Sequence, residues 1–109
     1  MNFKINNIEK YKILKKKYSN PDLVFEKLED YFKIDPNLEY NISTRKNKKY
    51  MVRGDFTDNK WVHFGAYPNY EDYTFHKDFK RRASFKARNF KWFQKDINTP
   101  AFLSYVILW

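Results

Sequence analysis

Between residues 50 and 66, two short apolar runs flank a polar turn, and this pattern constrains the fold more than any other part of the chain. Tyr50, Met51, Val52, Arg53, Gly54, Asp55 and Phe56 make the first run; Trp61, Val62, His63, Phe64, Gly65 and Ala66 make the second. Thr57, Asp58, Asn59 and Lys60 lie between them, and Asp and Asn bring turn chemistry through their short polar side chains. The pattern predicts a β-hairpin. Alternation puts Val62, Phe64 and Ala66 on one face and Trp61 and His63 on the other.

Helical signals surround the hairpin. Asn20, Pro21 and Asp22 read as an N-cap, a first-position proline and a first-turn acid. Val24, Leu28, Tyr31 and Phe32 follow at helical spacing, and the helix is expected to stop at Asp35-Pro36. Upstream, Ile8, Tyr11, Leu14 and Tyr18 fit a helix face, although residues 11–14 fit a strand equally well. After a break at Tyr67, Pro68, Asn69 and Tyr70, residues 72–92 read as one helix. Asn98, Thr99 and Pro100 then open a last helix, with Phe102, Tyr105, Val106 and Trp109 on one apolar face.

A chain of 109 residues has room for one core, not two. Much of that core must be aromatic, since 21% of the residues are Phe, Tyr or Trp. The expected fold is therefore a small single α+β domain: a hairpin or small antiparallel sheet packed with N-terminal helices and two C-terminal helices. Its parts are a helical segment over residues 1–40, an exposed basic connector over 41–49, and the hairpin with two helices over 50–109.

Charge is distributed unevenly. Of the net +9, almost all falls after residue 40, because the first forty residues carry eight lysines against seven acids. Arginine is scarcer than lysine, yet three of the five arginines, Arg81, Arg82 and Arg88, lie within eight residues. The guanidinium fork matches phosphate and carboxylate geometry in a way that an ammonium does not. Between His76 and Lys91 there are seven basic residues and one acid, Asp78. On a helical wheel Phe79, Ala83, Ala87 and Phe90 share a stripe that reads as the core-facing seam. Phe85 and Trp92 fall on the far side, flanked by Arg81 and Arg88.

A basic helix with a second aromatic stripe suits an anionic partner, with cations on phosphates and rings stacking on bases. The expected contact residues are Lys77, Lys80, Arg81, Arg82, Phe85, Lys86, Arg88, Lys91 and Trp92. Arg45, Lys46, Lys48 and Lys49 of the connector join them as a basic arm. Enzyme readings fare worse. The two histidines, His63 and His76, sit in no zinc-ligand spacing, two glycines make no phosphate-cradling loop, and Ser84 has no evident base. No cofactor, metal or catalytic residue is expected. No cysteine is present, and no run approaches the roughly 20 apolar residues of a membrane span.

One resemblance extends this reading. His63, Phe64, Gly65 and Ala66, then Tyr70, Glu71, Asp72, Tyr73 and Thr74, His76, Lys77 and Asp78, Arg81 and Arg82, Phe85 and Arg88 carry it. Together they resemble a family of short basic proteins of nucleocytoplasmic large DNA viruses, over about residues 48–109. The chain departs from that pattern at Asn89, where His is usual, at Phe85, where Tyr is usual, and in a tail with fewer Trp. The resemblance implies a viral source, a location in the virion or an intracellular replication site rather than secretion, and no reaction. The expectation is a non-enzymatic protein that binds nucleic acid, DNA before RNA, without sequence preference. The alternative is a minor capsid or scaffold protein whose basic and aromatic surface meets acidic viral proteins, with homo-oligomers a further expectation.

Overall fold

The structure is a computed structural model that describes residues 4–109. The expected helical part begins at residue 1, and its first three positions lie outside the described residues. Two helices lead, α1 (Ile8–Lys17) and α2 (Pro21–Tyr31), and each starts where an Asn side chain takes an orphan amide. Asn7 accepts from the Lys10 N–H and Asn20 from the Leu23 N–H. The segment that fitted either helix or strand is thus helical. Three strands follow, β1 (Glu39–Ile42), β2 (Lys48–Arg53) and β3 (Val62–Ala66), paired antiparallel in the order β1-β2-β3.

Register explains the core. Tyr40 and Ile42 face Val52 and Tyr50 across β1–β2, and Tyr50 faces Phe64 across β2–β3. These side chains are buried together with Leu14, Val24, Phe25 and Leu28 of the first two helices and Leu103, Ile107 and Leu108 of the last segment. The three parts of the chain therefore share one core, and the fold is a small α+β domain. Beyond the sheet run α3 (Tyr73–His76), α4 (Phe79–Arg88), a 3₁₀ stretch at Phe90–Gln94, and α5 (Pro100–Leu103), which passes into a π turn at Ser104–Leu108. Among the described residues, no helix is long and apolar enough to cross a membrane.

Four expectations need correction. The connector over 41–49 is strand at both ends: Asn41 and Ile42 belong to β1, and Lys48 and Lys49 to β2, leaving a tight loop at 43–47. The sequence there reads as polar, but the pairing depends on burial against distant helices. The hairpin turn is longer than expected, with a 3₁₀ turn at Asp55–Thr57 and β3 starting only at Val62; on the predicted face Phe64 is buried while Ala66 is exposed. The single helix over 72–92 is three pieces. Lys77 takes a left-handed φ of 53°, and Asp78 restarts the helix by accepting from the Lys80 and Arg81 N–H groups. The last helix is buried nearly all round: Phe102 and Leu103 of α5 and Tyr105, Ile107 and Leu108 of the π turn are all buried.

Candidate functional site

A fifth correction concerns α4 itself. It has no fully buried residue, and the stripe expected to face the core points outward: Phe79 is 73% and Phe90 56% exposed, with Ala83 and Ala87 exposed between them. The opposite side packs instead. The Phe85 ring stacks on Trp109 at 4.1 Å with planes 5° apart, and Trp92 meets Phe85 edge-on at 5.6 Å. Both sides of α4 carry rings at helical spacing, so periodicity does not separate them; the position of Trp109 does.

Two of the expected cations are consumed by this packing. Arg82 donates from Nε to the main-chain oxygen of Trp109 at 2.7 Å and lies over the Tyr73 ring. The Lys86 ammonium sits over Tyr105 at 4.7 Å, and burial pushes its pKa down, with Arg82 adding to the effect. These side chains fix the helix to the body. Arg81 is also engaged, in an exposed ion pair from Nη1 to Glu71 Oε1 at 2.8 Å.

What remains is a cleft of about 760 Å³ between α4, the 66–72 segment and the Ser104–Leu108 turn. Lys80, Ser84 and Arg88 form its α4 rim, each four residues from the next, with Phe85 and Trp92 behind them. Lys80 and Arg88 are exposed, and neither has an acceptor among the described residues. Tyr70 stands at the other lip, 64% exposed. Arg81, Phe85, Arg88 and Trp92, expected from the sequence to share one surface, do all line this cleft.

The floor is a buried polar network. Lys49 Nζ pairs with Asp72 Oδ2 at 3.0 Å, with side chains 2% and 1% exposed. Ser19 donates to Asp72 at 2.7 Å, Tyr50 donates to Ser19 at 2.6 Å, and Thr74 donates to the other Asp72 oxygen. Burial lowers the Lys49 pKa, partly offset by Asp72, and raises the Tyr50 phenol well above its usual value. Lys49 is therefore no free phosphate ligand, since its charge is spent inside.

A second basic feature adjoins the same segment. Lys10 Nζ donates to the carbonyls of Ser43, Arg45 and Lys48 at 3.0, 2.9 and 2.6 Å and lies over Tyr67. One ammonium thus uses its three donors to shape the 43–47 loop, leaving Arg45 and Lys46 exposed and Lys48 half-buried. Nothing in the sequence around Lys10 signals this role, because its acceptors are main-chain atoms more than thirty residues away. His63 shares a 2.6 Å hydrogen bond with buried Ser43, and burial, with Arg45 and the nearby lysines, lowers its pKa. His76 accepts from the Asp78 N–H at Nδ1, so Nε2 carries the proton; that buried N–H has no acceptor among the described residues and lies against Trp109. His76 and Asp78 are the joint between α3 and α4. Lys77 and Lys91 are exposed beside it and beyond it. No three His, Asp or Glu side chains among the described residues come together as a metal site.

The model of a family of unknown function (DUF5754) matches residues 38–89, from the start of β1 to the end of α4. The match thus takes in the sheet, the cleft floor and the rim cations, and starts ten residues earlier than the viral resemblance. No curated protein and no solved structure matches the chain.

Proposed function

We propose that this protein is a non-enzymatic, basic nucleic-acid-binding protein that holds phosphates on the outer rim of α4 without reading base sequence. The observation that carries this reading is the pairing state of the rim. Among the described residues Lys80 and Arg88 are unpaired, and they stand exposed beside a cleft with aromatic walls, whereas both acids of the cleft, Glu71 and Asp72, are already tied to Arg81 and Lys49. A polyanion meets free cations there and no free carboxylate. Lys77, Lys91 and the loop residues Arg45 and Lys46 extend the positive field. The resemblance over residues 48–109 supports DNA of a large DNA virus as the partner, in the virion or the replication site.

The test is DNA binding at several salt concentrations. Phosphate contacts release counterions, so log affinity falls linearly with log salt, by about 0.9 per neutralised phosphate on duplex DNA. Absence of binding at low salt removes the reading.

A minor capsid or scaffold role is the second reading, favoured by the outward Phe79, Ala83, Ala87 and Phe90 stripe, an apolar surface on an otherwise basic helix. It predicts that Phe79→Ser frees the protein from assembled particles while leaving DNA affinity unchanged.

A further inference from the structure

We infer that the cleft receives an unstacked nucleobase, so that the protein prefers single-stranded to duplex nucleic acid. This rests on the nucleic-acid reading above and adds the part of the ligand that phosphate contacts do not specify.

The cleft is divided by chemistry. Its charged groups sit on the rim: Lys80 and Arg88 are two helical turns apart on one face of α4, about 12 Å along the axis. Its interior is neutral, because Glu71 is neutralised by Arg81 at 2.8 Å and Asp72 by Lys49 at 3.0 Å. A free phosphate alone has reason to stay on the rim. The volume of about 760 Å³ is that of a small-molecule site, far more than a phosphate needs.

The interior suits a flat, neutral ring with polar edges. Phe85 and Trp109, locked face to face at 4.1 Å, make a rigid back wall, and Trp92 closes it edge-on. Tyr70 at the mouth has neither a ring contact nor a hydrogen bond among the described residues, and it is 64% exposed. An aromatic face left in water at the lip of a cleft is a stacking platform that every base can use. Asn69, Ser84 and Ser104 also line the cleft, and their side chains have no protein partner among the described residues. An Asn amide offers both a donor and an acceptor to a base edge. A base entering between Tyr70 and the back wall leaves its flanking phosphates outside, near Lys80 and Arg88. In a duplex the bases are paired and stacked, so only the rim is available to it.

The experiment compares a mixed-sequence single-stranded oligonucleotide with its duplex at matched salt, by fluorescence anisotropy and by quenching of tryptophan emission. The single strand should bind about tenfold more tightly, the ratio expected of one base on an aromatic ring, and should quench emission. Tyr70→Ala should bring single-strand affinity down to the duplex value, leaving duplex affinity and salt slope as they were, and Tyr70→Phe should keep the preference. Because Tyr70 is exposed, the fold should tolerate both changes. Equal affinity for the two forms, or an equal loss on both with Tyr70→Ala, overturns the base inference and leaves phosphate binding standing. If neither form binds at low salt, both readings fall.

Discussion

Two lysines show how burial sets the behaviour of single residues here. Lys49 is enclosed with Asp72, and removing one member of such a pair leaves the other charge buried alone. Lys49→Met should therefore cost about 3–5 kcal/mol in urea denaturation, while leaving the salt slope of DNA binding unchanged. A lowered slope with intact stability would instead make Lys49 a ligand. Lys27 has no such partner among the described residues: burial, with Lys86 and Arg82 nearby, pushes its ammonium down to about 8. Between about 8 and the ordinary 10.5, the unfolded chain still holds a proton that the folded chain has lost, so this group makes stability rise with pH across that window. Below it, the folded state carries a charged, poorly solvated ammonium. Lys27→Met should raise the melting temperature at pH 7, and the advantage should shrink as pH approaches 10. Thermal melts of both proteins over that range decide the matter; an advantage that does not change with pH excludes Lys27 as the titrating group.

At the scale of elements, α4 is held by its ends and by one side. Asp78 caps it, and Phe85, Arg82 and Lys86 fasten it to Trp109, Tyr73 and Tyr105. Phe85→Ala should then cost about 2 kcal/mol, from the lost burial of a ring and its stacking partner. Phe79→Ser, on the open side, should stay within about 0.5 kcal/mol of the parent. Chemical denaturation of the two variants tests which side is which, and the reverse order would restore the Phe79–Phe90 seam as the packed one. Capping was legible in the sequence: Asn20-Pro21-Asp22 and Thr99-Pro100 start helices where their chemistry says. The break at Lys77 was not, since a lysine in left-handed backbone carries no local signal, and only the Asp78 cap beside it hinted at a restart.

For the whole molecule, the net charge of +9 counts less than where it is left unpaired. Arg81, Arg82, Lys86, Lys49 and Lys10 all have protein partners, so the free cations are fewer than the sequence suggests. Lys80→Ala with Arg88→Ala should lower the salt slope of DNA binding by about two, whereas Arg82→Ala should leave the slope and lower stability. Glycine placement also belongs to this scale. Gly65 has φ of 83°, and a Cβ there would meet the Leu108 side chain at 2.9 Å and Lys49 at 3.1 Å, so β3 and the last turn close only without a side chain. The amino-acid sequence by itself determined the α+β class, the β2–β3 pairing, the helix starts at Pro21 and Pro100 and the concentration of cations near α4, because caps, alternation and charge are local properties. Tertiary structure alone decided that β1 joins the sheet, which side of α4 packs, and which cations stay free. Each of those outcomes depends on a partner far along the chain: the core of Leu14, Leu103 and Ile107 in which Tyr40 and Ile42 are buried for β1, Trp109 for Phe85, Asp72 for Lys49. Burial against a distant group has no signature at the residue that it buries.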